Sequence, residues 1–240
     1  MIAPTSQFWN KTAARRSTSG ATPRRCLVTC STKPPLVKVC GVTNADDAAY
    51  AAKNGANFIG MIMWPKAKRY VPPTIAHDIA NAARDNGASP IGVFVDESAE
   101  KIWDVCQASS VAIAQLHGNE SRSEMDALNA NLETIYVLNA HPDGRIETAL
   151  PDGDQIPDWF LIDSLKGGSG KSFDWANLTV PEACSKGWFL AGGLTHENVS
   201  DAVRIANPTC VDVSSGVCGP DGLKKDWGKV KKFIENAKSL

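Results

Sequence analysis

Short apolar runs alternate with longer amphipathic segments from Leu36 to the end of the chain. Runs of this length are typical of buried strands, and their alternation with helical periodicity is typical of βαβ units and a parallel sheet. We therefore predict eight strands. They span residues 36 to 39, 58 to 63, 91 to 95, 112 to 116, 135 to 138, 159 to 162, 188 to 191 and 210 to 213.

The segments between these runs have the pattern of helices. Several carry start signals, because Ser121 followed by Glu124 forms a capping-box pattern, Ser98 precedes an amphipathic run, and Pro72 and Pro73 precede another. The predicted helices span residues 44 to 54, 74 to 86, 98 to 108, 122 to 130, 144 to 149, 173 to 178, 196 to 206 and 226 to 238.

Eight strand and helix units in one segment of about 205 residues are typical of a closed barrel. An open doubly wound sheet usually has fewer strands, and often a glycine-rich dinucleotide fingerprint after the first of them. The turn after the first predicted strand here, CGVTN, has a single glycine. We therefore predict an α/β fold, a (β/α)8 TIM barrel forming one domain over residues 36 to 240.

Residues 1 to 35 differ in composition from the rest of the chain. They are rich in Ser, Thr and Arg, contain no acidic residue, and lack a continuous apolar core of the secretory type. This composition is typical of an organellar transit peptide, and a disordered basic tail is the alternative. The Ser and Thr content favours a plastid over a mitochondrion. We assign residues 1 to 35 to a disordered transit peptide.

The charge of the chain is unevenly distributed. The formal net charge is −1, but residues 1 to 35 carry six of the 25 Lys and Arg residues, so the remainder carries −7. An acidic body offers no electrostatic footprint for nucleic acid or an anionic membrane, and no stretch approaches the roughly 20 apolar residues that cross a bilayer. We expect a small-molecule partner, with neither nucleic acid nor membrane. Monomer and homodimer both stay open.

The cysteines give no sign of a metal or redox centre. All seven are spread along the chain, and none forms a C-x-x-C pair, the spacing that zinc and dithiol sites commonly use. We therefore predict no zinc or dithiol centre built from these cysteines, and a reducing compartment is the simplest interpretation.

Polar residues follow several predicted strands, at the end of the barrel where active sites of this fold lie. Cys40 follows LVKV, where nearby cations could favour a reactive thiolate, although a lone cysteine is more often a small buried apolar residue. Asp163 follows WFLI, where a raised pKa would suit proton donation; a helix cap or an ion pair with Lys166 or Lys171 is the alternative. Asp212 lies inside CVDV, and a strand interior rarely carries a charge without a partner or a role.

Three glycine-rich segments follow the last three predicted strands. Glycines let backbone N–H groups approach an anion, and the loops after strands seven and eight commonly form a phosphate site in this fold. Each segment alone is also compatible with an ordinary turn. The candidate phosphate residues are Gly168 and Gly170 in KGGSGK, Gly192 and Gly193 in AGGL, and Gly216 in SSGV.

Two further segments offer polar side chains to a substrate. The segment 64 to 71 contains Lys66, Lys68 and Arg69, which could bind a carboxylate or phosphate, although for the lysines a solvated loop is the simpler interpretation. Gln115 and His117, in QLHG, could hydrogen-bond a ligand, although a lone histidine is more often structural.

Seven segments, taken in order, match one known family. Together they resemble phosphoribosylanthranilate isomerase, a (β/α)8 barrel enzyme of tryptophan biosynthesis. The resemblance implies an Amadori rearrangement without cofactor or metal, in which N-(5-phosphoribosyl)anthranilate becomes 1-(2-carboxyphenylamino)-1-deoxyribulose 5-phosphate. The segments are VKVCGVT, GANFIGMIMWPKAKRYV, GVFVD, QLHGNES, LIDSLKGGSGKSFDW, LAGGLTHENV and VDVSSGV.

The resemblance also implies a role for individual residues. Cys40, in the K-x-C-G motif, corresponds to the general base, and Asp163, in the L-x-D motif, to the general acid. Arg69 would hold the anthranilate carboxylate, and Asp212 would contact the sugar hydroxyls or the bridging amine. The glycines of the three loops, with Ser214 and Ser215, would hold the phosphate.

Two departures and two alternatives accompany this resemblance. The family often has Ser-Pro where this chain has Ala67 and Lys68, and often Glu where this chain has Cys218. A related barrel isomerase acting on the histidine-pathway aminoaldose would carry Asp in place of Cys40. A non-catalytic barrel that binds a phosphorylated ligand is the second alternative.

Overall fold

A computed structural model describes residues 33–153, 155–165, 172–181 and 185–239. The predicted transit peptide lies outside these residues, apart from 33 to 35. The barrel prediction is confirmed: eight parallel strands close in sequence order. The strands are β1 (Leu36–Cys40), β2 (Phe58–Ile62), β3 (Ser89–Phe94), β4 (Ile113–Leu116), β5 (Glu133–Ala140), β6 (Trp159–Ser164), β7 (Gly187–Leu190) and β8 (Cys210–Val213).

The first and last strands close the barrel by pairing with each other. In that ladder Lys38 lies opposite Asp212, while on the other side of β1 Cys40 lies opposite Gly60. Closure leaves no exposed strand edge. It also places two oppositely charged residues, far apart in sequence, side by side inside the barrel.

Six α-helices lie among the described residues, and side chains at their starts explain several boundaries. The side chains of Asn44, Ser98 and Asp226 each accept a hydrogen bond from a backbone N–H three residues later. No helix within the described ranges is both long and apolar enough to cross a membrane. The helices are α1 (Ala45–Lys53), α2 (Pro73–Asp85), α3 (Ala99–Ser109), α4 (Asn119–Ser123), α5 (Val199–Ala206) and α6 (Trp227–Lys238).

Side chains of each strand alternate between two cores, because successive strand residues point to opposite faces. One face packs against the helices, and the other fills the barrel interior. At one level of the interior, Trp159 packs edge-on against Phe58 and Phe189, with ring centroids 6.1 and 5.1 Å apart. Nearer the carboxyl ends of the strands, two or four residues after this level, several inward positions carry polar or reactive side chains. They include Lys38, Cys40, Gln115, Asp163 and Asp212.

The helix predicted over residues 144 to 149 is wrong, because the chain folds back there as a hairpin on the end of β5. Gly144 has φ +86°, and Ala140 forms an antiparallel bridge with Ile146. The Asn139 backbone N–H donates to the Thr148 hydroxyl at 2.9 Å. β-Branched residues such as Ile146 and Thr148 favour this extended backbone over a helix.

The helix predicted over residues 173 to 178 is also wrong. The Asp174 carboxylate accepts hydrogen bonds from the backbone N–H of Ala176 at 2.9 Å and from the Asn177 side chain at 2.7 Å. Such local side-chain bonds compete with a helical backbone and favour a turn.

The helix predicted over residues 122 to 130 begins earlier and is shorter. Ser121 lies inside α4, where its hydroxyl accepts from the Gly118 N–H and donates to the Phe94 carbonyl. Glu124 instead accepts from the N–H of Ala99, the first residue of α3, at 2.8 Å. Ser121 therefore bonds within α4, whereas Glu124 caps the start of α3. A short 3-10 turn, Met125–Ala127, follows α4.

Candidate active site

A cavity of about 450 Å³ opens at the carboxyl ends of the strands. A small adjoining cavity of about 40 Å³ shares part of its lining. Gly168 and Gly170 lie outside the described residues. The structure brings the other eleven predicted site residues together around these two cavities: Cys40, Arg69, Gln115, His117, Asp163, Asp212, Gly192, Gly193, Ser214, Ser215 and Gly216.

A larger cavity, of about 620 Å³, lies elsewhere, lined by Arg122, Asp126 and Tyr136 among others. It contains none of the predicted site residues. We place the candidate site in the cavity of about 450 Å³, because in the described part of the chain a thiol, a buried carboxyl group and a cation face one space there.

Cys40 is the last residue of β1, and a buried lysine holds its backbone in place. The Lys225 ammonium donates to the carbonyl oxygen of Cys40 at 2.6 Å and to that of Ser214 at 2.9 Å. The Ser214 hydroxyl donates to the Cys40 carbonyl at 3.3 Å. Burial lowers the pKa of the Lys225 ammonium, against the opposing effect of Cys218. These contacts fix the loop after β8 against the end of β1.

Lys38 lies two residues before Cys40 on the same strand face and is fully buried, with 0% of its surface exposed. Its ammonium donates to the Asp212 carboxylate at 3.0 Å and to the Gln115 side-chain oxygen at 2.8 Å. Burial alone would lower the pKa of Lys38, but the Asp212 carboxylate and Cys40 outweigh it, so the pKa lies above its usual value. A permanent positive charge therefore lies beneath the Cys40 side chain.

Asp163 lies near the end of β6 and is buried. Burial raises the pKa of its carboxyl group, a hydrogen bond from the Ser164 N–H, 2.7 Å long, opposes the shift, and the neighbouring Asp212 adds to it; the resulting pKa is about 6. A carboxyl group with this pKa can hold and release a proton near neutral pH. That is the property required of a general acid.

Gln115 and His117 connect these groups across β4. The Gln115 side-chain nitrogen lies 3.1 Å from His117 Nδ1, and His117 Nε2 lies 3.9 Å from an Asp163 oxygen. Burial, with the charges of Lys38 and Arg122, lowers the pKa of His117 to about 4. The imidazole is therefore neutral at physiological pH.

Arg69 reaches the cavity from the loop after β2. Gly41 has φ +69°, and a Cβ atom on it would lie 2.3 Å from a guanidinium nitrogen of Arg69, so only glycine lets the guanidinium lie against this turn. The same nitrogen lies 3.8 Å from the Cys218 sulfur. Lys68 also lines the cavity, whereas Lys66 pairs with Asp96 at 2.8 Å in solvent.

The small cavity is formed by backbone from the loops after β7 and β8. Gly192 has φ +83°, and a Cβ atom on it would lie 2.9 Å from the Ser164 nitrogen and 3.2 Å from an Asp163 oxygen. This position therefore favours glycine, which lets the loop approach Asp163 closely. The Asp212 side chain lines both cavities. Its Oδ1 atom is buried and has no hydrogen-bond partner among the described residues.

Two residues of this site, Lys38 and Lys225, were missed by the sequence analysis. The sequence contained a sign that Lys38 belongs to the site, because residues two apart on a strand share a face and Cys40 was already a candidate. Lys225 lies in an irregular segment before α6, and no local pattern connects it with Cys40. Within the described residues, no group of three or more His, Cys, Asp or Glu is placed to hold a metal ion.

A closed barrel whose mouth combines a thiol, a buried carboxyl group and a guanidinium defines a barrel enzyme with acid–base chemistry. The sequence model of the family described as N-(5'phosphoribosyl)anthranilate (PRA) isomerase matches residues 37 to 236. The chain is 46% identical to N-(5'-phosphoribosyl)anthranilate isomerase 1, chloroplastic, of Arabidopsis thaliana over 208 residues, 86% of this chain and 76% of that protein. The chain belongs to the phosphoribosylanthranilate isomerase family.

Solved structures agree with this assignment. Phosphoribosyl anthranilate isomerase from Thermotoga maritima superimposes with a TM-score of 0.72 at 31% identity, covering 86% of this chain and 100% of that one. A second structure, of a phosphoribosyl anthranilate isomerase in complex with reduced 1-(o-carboxyphenylamino)-1-deoxyribulose 5-phosphate, gives a TM-score of 0.66 at 29% identity over the same shares.

Proposed function

We propose that this chain isomerises N-(5-phosphoribosyl)anthranilate to 1-(2-carboxyphenylamino)-1-deoxyribulose 5-phosphate, a step of tryptophan biosynthesis. The observation that carries the proposal is that Cys40, Asp163 and Arg69 line one cavity. Membership of the isomerase family, and the ligand in the related solved complex, support the same substrate class.

The reaction begins with a proton from Asp163. The carboxyl group protonates the furanose oxygen, the bond between this oxygen and C1 breaks, and the lone pair of the anilino nitrogen forms a C=N bond, giving a Schiff base. Cys40, as the thiolate, then takes the proton from C2, and the electrons of that bond form C1=C2 while the nitrogen regains its lone pair. A tautomeric shift moves a proton from the C2 hydroxyl to C1 and yields the ketone.

Other groups hold the substrate during these steps. Arg69 binds the anthranilate carboxylate, since a guanidinium matches two carboxylate oxygens. The Asp212 oxygen that has no hydrogen-bond partner among the described residues accepts a hydrogen bond from a sugar hydroxyl or the bridging amine. Backbone N–H groups near Gly192, Gly193 and Gly216 receive the phosphate. Gly168, Gly170, Ser214 and Ser215 are also assigned to this phosphate site.

A turnover assay separates the candidate functions. The purified chain is incubated with N-(5-phosphoribosyl)anthranilate and, separately, with the histidine-pathway aminoaldose. Turnover of the anthranilate substrate is followed by the loss of its fluorescence. Turnover of the anthranilate substrate alone is expected. Binding without turnover would instead support a phosphate-ligand module, and turnover of the aminoaldose alone would support the related isomerase.

Arg69→Ala is expected to weaken binding of a product analogue by about ten- to a hundredfold, because a charge-assisted hydrogen bond contributes roughly 1.5 to 3 kcal/mol. Lys66→Ala is the matched control, since Lys66 is a cation of the same loop with 71% of its side chain exposed. Calorimetric affinity for the analogue is the measurement. Equal affinities of the two variants would remove Arg69 from the site.

We further propose that residues 1 to 35 direct the chain to the plastid, as their acid-free composition and the chloroplastic Arabidopsis relative suggest. Deleting them should abolish import into isolated chloroplasts and leave folding and turnover intact. Residues 1 to 35 fused to a fluorescent passenger provide the control and should import it. An imported truncated chain would contradict the assignment.

That the chain forms a homodimer stays a prediction.

A further inference from the structure

A chain of polar contacts runs beneath the candidate site from one side of the barrel to the other. It begins at the fully buried Lys38 ammonium, which contacts an Asp212 oxygen at 3.0 Å and Gln115 Oε1 at 2.8 Å. It continues from Gln115 Nε2 to His117 Nδ1 at 3.1 Å, and His117 Nε2 faces Asp163 Oδ2 at 3.9 Å. The chain therefore ends at the group assigned as general acid.

The direction of each hydrogen bond in this chain is fixed by Lys38. An ammonium has donors and no acceptor, so the Gln115 atom facing it must be the amide oxygen. The amide nitrogen then faces His117, and it can only donate. His117 Nδ1 must accept, so it carries no proton. In a neutral imidazole the remaining proton lies on Nε2, the nitrogen that faces Asp163.

The surroundings also keep His117 neutral. Burial and the positive charges of Lys38 and Arg122 disfavour a second proton on the ring and hold the pKa of His117 near 4. A protonated imidazole beside Asp163 would stabilise the carboxylate before the reaction starts, and would deprive the acid of its proton. A neutral N–H donor has a smaller effect on the protonated carboxyl group, and it stabilises the carboxylate formed once the proton has left.

We propose that Lys38 is a positioning residue, which acts through Gln115 to hold His117 as the neutral Nε2–H tautomer facing the Asp163 carboxyl group. The tautomer follows from the contacts alone, whereas its catalytic consequence rests on the proposed function. In catalysis, the His117 N–H stabilises the Asp163 carboxylate that remains after the furanose oxygen has been protonated.

Gln115→Glu is the sharpest test, because it keeps the size of the side chain and the contact with Lys38. The second carboxylate oxygen of Glu accepts where the amide donated, so the proton on His117 should move to Nδ1. Gln115→Met removes the contact without reversing it and should give a mixture of tautomers. Gln115→Met leaves the pair of Lys38 with Asp212 intact and adds no charge, whereas the carboxylate added by Gln115→Glu lies against the Lys38 ammonium.

The measurement is a long-range ¹⁵N–¹H spectrum of the full chain at neutral pH, with the half-buried His77 on α2, far from this chain of contacts in sequence, as an internal reference. We expect the Nε2–H pattern for His117 in the wild type and a changed pattern in both variants, with His77 unchanged. Turnover should fall about ten- to a hundredfold, as for loss of a donor to a charged group. Affinity for a product analogue should fall less than turnover.

Several results would overturn the proposal. One is an Nδ1–H pattern in the wild type, and another is an unchanged pattern in a folded Gln115→Glu protein. A third is a reversed tautomer with turnover unchanged, which would remove the catalytic consequence. The spectrum needs no substrate, so a wild type with the expected tautomer and no turnover would count against the proposed function, and not against the tautomer.

Discussion

Replacing Cys40 with alanine is expected to lower turnover by about 10²-fold to 10⁴-fold, the range for loss of a positioned acid or base. In the proposed mechanism Cys40 takes the proton from C2, and the ammonium group of the fully buried Lys38 lies two residues before it on the same strand face. Affinity for a product analogue should change far less, because the proposed mechanism assigns the carboxylate and the phosphate to other residues.

Two further variants sharpen this test. Cys40→Ser should also be badly impaired, since a hydroxyl is a much poorer base than a thiolate at neutral pH. Cys106→Ala is the matched control: this thiol is buried on α3, and burial raises its pKa to about 12. A folded Cys40→Ala protein with a rate near that of the wild type would show that Cys40 is only a buried apolar residue.

Asp163→Asn should lower turnover by a similar factor, about 10²-fold to 10⁴-fold, because the amide has no proton to give to the furanose oxygen. The pH dependence should identify the group. The pKa of Asp163 is about 6, so the protonated fraction falls as the pH rises through 6, and the part of the rate that depends on it should fall too. The residual rate of the variant should not fall as the pH rises through 6.

Asp96→Asn is the matched control for this prediction. Asp96 also lies after a strand at the mouth of the barrel, but it pairs with Lys66 in solvent and does not line the cavity. It should keep nearly full turnover and the pH profile of the wild type. If the rate of Asp163→Asn still fell as the pH rose through 6, that fall would have to be assigned to another group.

The sequence predicted the eight strands because each is a short apolar run bounded by polar or glycine-containing segments. It could not predict where tertiary contacts replace a helix. The segment 144 to 149 forms a hairpin, since its backbone bonds to the end of β5, and the segment 173 to 178 turns around the Asp174 side chain. Ser121 and Glu124 matched a capping box, yet Glu124 bonds to another helix.

The candidate site was predictable as far as strand ends were recognisable. Cys40, Asp163 and Asp212 follow or end apolar runs, and the resemblance to the family gave them roles. Lys38 could have been found from its spacing to Cys40. Lys225 could not, because it reaches the Cys40 carbonyl only through the packing of the loop after β8.

In the proposed mechanism this barrel moves a proton from the sugar C2 and leaves a ketone there. The change at C2 can be followed by ¹³C NMR of N-(5-phosphoribosyl)anthranilate labelled at C2 of the ribose, incubated with the wild type and with Cys40→Ala and Asp163→Asn at equal concentrations. The wild type should convert the C2 signal from an alcohol carbon to a ketone carbon, while each variant does so far more slowly. No ketone signal with the wild type, or a signal that either variant forms as fast as the wild type, would contradict this mechanism.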